Sequence, residues 1–262
     1  MLKKRLIPVL LLQNGLLVRS ELFKIHQIIG NPVHEVERFN QWNVDELVYL
    51  DITRGDKYDL RREDHKIKGL ATPEAILDAV SRNCFMPLTW GGRIRSVEDM
   101  RRCINHGADK ISINTSAVRT PELITAGAKA FGSQAIVVSI DVRAEGGSAR
   151  EVFIDGGRES TGLDPVEWAI EAEKRGAGEI LLQVIGRDGT GSGYDTGLIR
   201  DMSSAVRIPL VACSGVAMFE DYADGIKAGA SAVAAANIWH FKELTDRAGK
   251  RAMARAGIDV RL

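Results

Sequence analysis

Residues 86–114 read MPLTWGGRIRSVEDMRRCINHGADKISIN, and this stretch decides the fold. A mainly apolar run, Met86–Trp90, ends in the pair Gly91-Gly92. A helical pattern follows over Ser96–Asn105, with Ser96 as a cap and Glu98 and Asp99 in the first turn. Gly107-Ala108 stops it, and Lys110–Asn114 is the next strand candidate. Parts of the unit return 122 positions later: Met86-Pro87-Leu88 as Ile208-Pro209-Leu210, and Gly107-Ala108 as Gly229-Ala230. Asp45-Glu46-Leu47-Val48 is echoed by Gly178-Glu179-Ile180-Leu181. Such self-similarity marks a chain built from two like halves.

The same alternation extends in both directions. Strands are expected at Arg5–Leu12, Glu46–Asp51, Met86–Trp90, Lys110–Asn114, Ala135–Asp141, Glu179–Gln183, Pro209–Cys213 and Ala232–Ala236. Most are near-continuous Val, Ile, Leu and Ala, as in strands buried on both faces. Helices are expected at Pro32–Gln41, Pro73–Arg82, Ser96–Asn105, Pro121–Phe131, Asp164–Arg175, Thr196–Val206, Phe219–Ala228 and Lys242–Ala256. Several open on a cap or first-turn proline, such as Thr72-Pro73-Glu74 and Thr120-Pro121-Glu122. Eight strands, each followed by a helix, in 262 residues read as an α/β fold, a (β/α)8 TIM barrel in one domain over 1–262. Its half-barrels run over about 1–120 and 121–262. A doubly wound open sheet is the competitor, usually with fewer strands at this length. Two segments look inserted: the charge-dense run Arg54–Leu70, and Arg143–Gly157, which fits a hairpin.

Composition narrows the function. Lys and Arg total 35 and Asp and Glu total 35, so the net charge is zero. With 45% apolar and 27% charged residues, this is the profile of a globular domain, neither disordered nor drawn to nucleic acid by bulk charge. Cys84, Cys103 and Cys213 fit no zinc spacing and read as reduced thiols, so a cytoplasmic protein is expected. The run Leu6–Leu12 after Lys3, Lys4 and Arg5 is short, holds Pro8 and reads as a strand rather than a signal peptide. No run approaches a membrane span. His26, His34, His65, His106 and His240 lack ligand spacing, so neither a metal nor another cofactor is expected.

In a barrel the chemistry lies at the C-terminal ends of the strands. Four such ends come in pairs: Gly91-Gly92 with Ser214-Gly215, and Asn114-Thr115 with Ala236-Asn237. Small residues let backbone N–H groups approach an anion, and the next helix adds its positive end. Two such sites suit a ligand with an anionic group at each end; a tight-turn glycine is the plainer reading of either pair alone. Asp141, at the end of its strand, is the candidate acid/base, and Asp51 ends another in the same way. A hydrogen-bonded structural aspartate is the alternative for both. The loop Arg187-Asp188-Gly189-Thr190 offers a guanidinium, a carboxylate and a flexible turn, and Arg19 lies in a long first loop able to close over an anion.

The opposite rim is unusual. Arg5, Glu46, Lys110 and Glu179 each begin a strand, and together their charges sum to zero. Buried charges are costly unless paired, so these four should pair with one another. They are either a stability cluster or a polar plug on the barrel axis.

These residues carry a resemblance over essentially the whole chain. The runs LVYLDIT (47–53), GADKISINTSAV (107–118), PELI (121–124), FGSQAIVVSID (131–141), KRGAGEILL (174–182) and RDGTGSGYDT (187–196), with His240-Phe241, resemble the HisF family, the cyclase subunits of imidazole glycerol phosphate synthase. The resemblance implies a barrel that docks a HisH-like glutaminase on its N-terminal face and passes ammonia to a top face where a two-phosphate substrate is cyclised and cleaved. It implies that Arg5, Glu46, Lys110 and Glu179 form the ammonia gate and that Asp109 faces the glutaminase. It matches Asp141 to a catalytic carboxylate, and Gly91, Gly92, Asn114, Thr115, Gly189, Ser214, Gly215, Ala236 and Asn237 to the phosphate loops.

The chain also departs from the family. Where the family's strand-1 run carries its principal acid/base aspartate, this chain has Leu11, in Val9-Leu10-Leu11-Leu12-Gln13-Asn14-Gly15. A leucine transfers no protons, and losing one such group typically costs about 10²–10⁴ in rate. The family's mobile-loop lysine is Arg19 here, a loop glycine is Arg93, a serine is Cys213, and Thr-Ser is Gln183-Val184. The IPxLLL start and the missing aspartate resemble a HisF-like subgroup linked to acetamidino modification of bacterial surface sugars. That subgroup implies a sugar amidotransferase at the top face, meeting a surface shaped by Trp90, Arg93, Gln183 and the 54–70 run, with a phosphate-bearing small molecule as possible ligand. The alternatives are a genuine cyclase of histidine biosynthesis and a non-catalytic scaffold for the glutaminase.

Overall fold

A computed structural model describes residues 3–42, 44–55, 57–61, 70–144, 150–242 and 245–262. Its strands are β1 (Arg5–Gln13), β2 (Leu16–Glu21), β3 (Ile25–Gly30), β4 (Leu47–Asp51), β5 (Leu88–Gly91), β6 (Lys110–Ile113), β7 (Ile136–Ala144), β8 (Arg150–Ile154), β9 (Glu159–Ser160), β10 (Glu179–Val184), β11 (Leu210–Cys213) and β12 (Ala232–Ala235). Eight of them pair in parallel in the closed order β1-β4-β5-β6-β7-β10-β11-β12, and β12 returns to β1 through Arg5↔Ala232 to Pro8↔Ala235. The parallel eight-stranded barrel expected from the alternation is therefore present.

Helices cover the outside: α1 (Pro32–Gln41), α2 (Pro73–Ser81), α3 (Val97–Asn105), α4 (Thr115–Arg119), α5 (Glu122–Phe131), α6 (Pro165–Arg175), α7 (Thr196–Ala205), α8 (Glu220–Lys227), α9 (Ile238–Phe241) and α10 (Thr245–Arg255). Their starts follow from capping. The Ser96 hydroxyl accepts the Asp99 N–H at 3.1 Å, Thr72 accepts that of Ala75 at 3.2 Å, and Asp164 accepts those of Val166 and Glu167 at 2.8 and 3.0 Å.

Alternate residues divide the core. Leu6, Leu10, Leu12, Leu47, Tyr49 and Trp90 pack outward into the helix layer, while Ile7, Val9, Leu11, Val48, Leu50, Val137, Leu181 and Val211 form a separate cluster inside the barrel. Trp90 stacks on Tyr49 with ring centroids 6.2 Å apart and is fully buried, so it supports a helix and does not shape the top face.

Two further expectations are corrected. The first loop is a hairpin, β2 paired with β3, so Arg19 stands on a strand. And Asp141 does not end its strand: β7 runs on to Ala144, with Asp141 opposite Phe153 of β8. Parallel pairing with β10 continues through Gln183↔Asp141 and Val184↔Val142 before β7 turns away as a hairpin. Residues 56 and 62–69 of the charge-dense run, and 145–149 at the hairpin tip, lie outside the described residues.

Candidate functional site

The inward positions of the barrel strands change character along the axis. At the N-terminal rim stand Arg5, Glu46, Lys110 and Glu179. Arg5 donates to Glu46 Oε1 and, at 2.5 Å, to Glu179 Oε1; Lys110 donates to Glu46 Oε2 at 3.1 Å and to Glu179 Oε2 at 3.0 Å. Each charge touches two opposite charges, which closes a ring of four. Both glutamates are buried and both cations mostly so, which is tolerable only because every carboxylate oxygen has a partner. Burial alone would lower the Arg5 pKa, and the Glu179 and Glu46 carboxylates outweigh it and raise it.

A second ion pair, which escaped the sequence reading, braces this ring. Lys250 of α10 donates to Asp45 Oδ1 at 2.8 Å, and Asp45 Oδ2 accepts the Leu6 N–H at 2.8 Å. Asp45 is thereby tied to β1 beside Arg5, and its neighbour Glu46 is held in the ring. Asp109 does the matching task one strand pair further round, accepting the Leu88 N–H at 2.8 Å from an exposed position.

Above the ring the interior is apolar up to Leu11 and Leu50, with small Ala232 and Ala234 on one side. There a cavity of about 750 Å³ opens. Leu11 and Leu50 are on its floor with Ser112, Ser139, Asp141, Gln183 and Cys213. Asp141 is almost wholly buried and accepts from Gln183 Nε2 at 3.1 Å, while the same amide donates to Ser139 Oγ at 3.2 Å. Burial pushes the Asp141 carboxyl up to about 7 against the hydrogen bonds of Gln183 and Asn114, and nearby Asp188 adds to the rise. It is thus poised to hold or release a proton near neutrality. Cys213 is buried to the point that its thiol is pushed up to about 12, so it stays protonated. The Ser112 hydroxyl, buried at the cavity wall, has no hydrogen-bond partner among the described residues.

The walls carry the paired turns. After β5, Gly92 and Arg93 have φ of +96° and +60°; after β11, Ser214 and Gly215 have +82° and +96°. A Cβ on Gly92 would lie 2.1 Å from the Asp51 carbonyl oxygen, and one on Gly215 2.1 Å from that of Gly193. The two turns thus share a left-handed glycine in the same close approach to a carbonyl, with the strained non-glycine after it in one (Arg93) and before it in the other (Ser214). Gly92, Asn114, Thr115, Gly189, Ser214, Gly215, Ala236 and Asn237 all border the cavity. Gly91 does not: it lies within β5, where Leu50 and Ser112 close over it, so it is a packing glycine.

Several expected site side chains are engaged with the protein. Asp51 accepts the Thr53 N–H at 2.9 Å and the Tyr58 hydroxyl at 2.7 Å, and burial raises its pKa against those bonds. Arg93 lies over the Tyr58 ring at 5.2 Å. Asp188 accepts the Ser20 hydroxyl at 2.7 Å and the Phe23 N–H at 3.2 Å; burial raises its pKa too. Asn237 donates to the Ser20 carbonyl at 2.8 Å. Asp188 and Asn237 together hold the β2–β3 hairpin over the mouth. Arg19 donates to Gln27 at 2.8 Å and lies 5.9 Å from the Phe241 ring, and both Arg19 and Phe241 border the cavity. The Arg187 guanidinium donates to the Ser192 and Gly193 carbonyls and does not join the loop carboxylate. Tyr58 and Ser20 escaped the sequence reading, because neither sits at a strand end or in a recognisable turn.

Among the described residues, no group of three or more His, Cys, Asp or Glu side chains converges to hold a metal, and no helix is long and apolar enough to cross a membrane. The cavity thus places the buried Asp141 carboxyl among the turns that follow β5 and β11.

Known proteins resemble this chain in sequence. A family model described as "Histidine biosynthesis protein" matches residues 5–245. The imidazole glycerol phosphate synthase subunit HisF of Caulobacter vibrioides (strain NA1000 / CB15N) is 44% identical over 267 residues, covering 100% of this chain and 97% of the relative. The subunit of that name from Caulobacter vibrioides (strain ATCC 19089 / CIP 103742 / CB 15) matches equally.

Proposed function

The chain belongs to the HisF family, and we propose that it is the barrel subunit of a glutamine amidotransferase complex, conducting ammonia from a HisH-like glutaminase to its top face. The observation that carries this reading is the closed ring of Arg5, Glu46, Lys110 and Glu179 directly beneath an apolar interior that continues to Leu11. Neutral ammonia needs an apolar path that excludes ammonium, and a ring of paired charges at the foot of that path is a barrier that opens only when a pair is broken. The glutaminase docks around the N-terminal rim, near Asp109. In this reading the ammonia serves an acetamidino modification of a bacterial surface-glycan sugar, completed by a sugar amidotransferase at the top face. Leu11 supports that assignment, since the strand-1 acid/base that the family resemblance implies is absent.

A second reading, the imidazole glycerol phosphate synthase reaction of histidine biosynthesis, is favoured by the full-length 44% identity and by Asp141, whose carboxyl is near neutrality. The deciding experiment is turnover of the two-phosphate HisF substrate by the purified protein with ammonium salt in place of a glutaminase. Absent turnover supports ammonia delivery to another acceptor. Turnover at the rate of a genuine cyclase refutes it and shows that other groups replace the missing aspartate. The gate has its own test: in the complex, Lys110→Ala and Glu179→Ala should each uncouple glutamine hydrolysis from product formation, and unchanged coupling in both sinks it.

A further inference from the structure

The start of the charge-dense run after β4 has no part in the reading above. Beside the mouth, where the tip of the β2–β3 hairpin meets Arg54, the surface holds a second recess of about 380 Å³. Four of its lining residues are Lys24, His26, Arg54 and Lys57. None of Lys24, Arg54 or Lys57 has a carboxylate partner among the described residues. The acidic residue on its wall, Asp59, is already bound by the Arg61 guanidinium at 3.0 and 3.1 Å. Gln13 and Asn14 close the floor, and the Asn14 carboxamide oxygen accepts the Asp59 N–H at 3.0 Å.

Lysines on a hairpin tip are ordinarily just solvated. Two features set this group apart. The cations come from two different segments, the hairpin and the start of the 54–70 run, and converge on one concavity rather than spreading along a face. And His26 and Arg54 also border the main cavity, so the recess and the mouth share a wall. Three cations that face one concavity, whose one described carboxylate, Asp59, is engaged by Arg61, repel one another and hold a positive potential that an incoming anion relieves.

We propose that this recess is an anion subsite, taking a phosphate or carboxylate group carried by the same molecule that fills the mouth. The ligand then bears a third anionic group beyond the two that the paired turns receive, and extends out of the mouth between the hairpin and the β4 loop. Arg54 supplies the planar fork, Lys24 and Lys57 adaptable point charges, and His26 the contact between the two compartments. The proposal rests on the mouth being a ligand site and not on ammonia delivery, so failure of the gate experiments leaves it standing.

His26 makes the test site-specific. It is half-buried, with its pKa lowered by burial and by Arg54 and drawn upward by Asp188. We would follow the histidine ring ¹H–¹³C resonances of the full chain, assigning His26 through His26→Gln, while adding inorganic phosphate and, separately, acetate. An anion in the recess raises the His26 titration midpoint; the more effective probe tells which group the subsite prefers. In Lys24→Ala/Lys57→Ala, with two exposed side chains removed, the apparent affinity of that response weakens by about tenfold or more. A His26 midpoint indifferent to both anions overturns the proposal. So does a response that survives the double substitution, because the anion then sits in the mouth alone.

Discussion

Asp141→Asn keeps the side chain's shape and removes its ability to ionise. In the folded protein the carboxyl is pushed from 3.8 to about 7, first by burial. At about 1.4 kcal/mol for each tenfold change in proton affinity, ionising it in place costs about 4 kcal/mol. The sign follows from proton counting. Below pH 4 both folded and unfolded chains carry the proton, so the group is neutral in its effect. Between pH 4 and 7 the unfolded chain releases the proton and the folded chain keeps it, so stability falls as pH rises. Above 7 the loss is complete. From pH 5 to pH 8 the wild-type chain should therefore lose about 3 kcal/mol through this one residue, and Asp141→Asn should not. Gln183 still has an oxygen to donate to in the variant. The assay is urea unfolding of both chains at pH 5 and pH 8, read as the change in their difference. That difference matters, because other groups titrate in the same range. Burial also raises Asp51 and Asp188, and it lowers His26 and takes His240 down to about 4, which costs stability as pH falls. Asp51, His26 and His240 are common to both chains and cancel; Asp188, which couples to Asp141, is the one of these groups that does not cancel fully. A variant whose advantage at pH 8 equals its advantage at pH 5 would refute the argument, and with it the assignment of Asp141 as a proton carrier near neutrality.

Gly92→Ala should destabilise by about 2–4 kcal/mol, because its Cβ meets the Asp51 carbonyl and its φ is left-handed; Gly30→Ala, with open space around it, should stay within about 0.5 kcal/mol in the same thermal melts. Lys110→Ala leaves Glu46 and Glu179 sharing Arg5, and should cost about 2 kcal/mol, below the 3–5 typical of a fully buried pair, since the ring is partly wet; calorimetry checks it. Leu11→Asp should lower the melting temperature by placing a carboxylate beside Val9 and Leu50, and should restore at most weak cyclase activity in ammonium-driven turnover, because Arg93 and Gln183 are also altered; full activity would make those changes incidental. Tyr58→Phe removes the hydroxyl that Asp51 accepts and should cost about 1 kcal/mol by urea unfolding, with the Asp51 carboxyl moving further up.

The barrel was legible because its strands are buried on both faces and its helices announce their starts. Ser96 and Thr72 cap where their side chains said they would, whereas α5, after Thr120-Pro121, starts at Glu122 with no side-chain cap bond. The ring at the N-terminal rim was also legible, since four charges at strand starts had to find one another. The β2–β3 hairpin was not. Its turn places Leu22 and Phe23 at φ of +53° and +58°, positions where Asn or Gly is the usual signal. Nothing local favours that turn; the Leu22 N–H donates to the Asp188 carbonyl and the Phe23 N–H to the Asp188 carboxylate, from far along the chain. Tertiary anchoring of this kind has no local sequence signature. The same applies to Lys250, which reads as one more charge on an amphipathic helix until Asp45 is found beside it.

One strand shows how the parts divide. The inward residues of β1 are Arg5 in the ring, Ile7 in the apolar interior, and Val9 and Leu11 bordering the cavity. Because side chains alternate with a strict period of two, no residue can be added or removed between the ring and the floor without turning the whole set outward. Selection on this barrel can therefore act only by substitution at fixed depth. An acid at position 11 would end the apolar zone at Val9, one inward step lower, and would add a carboxylate to a cavity that Asp51, Asp141, Asp155 and Asp188 already border. A leucine there extends the zone one inward step further, where it meets Leu50, and adds no ionisable group to the cavity. In the proposed reading Leu11 gives up proton chemistry for a longer apolar interior, while Arg5, three inward positions below, keeps both of its carboxylate partners. That ring also stabilises the barrel, so the loss of coupling in Lys110→Ala and Glu179→Ala, rather than the loss of stability, is what separates a gate from a brace.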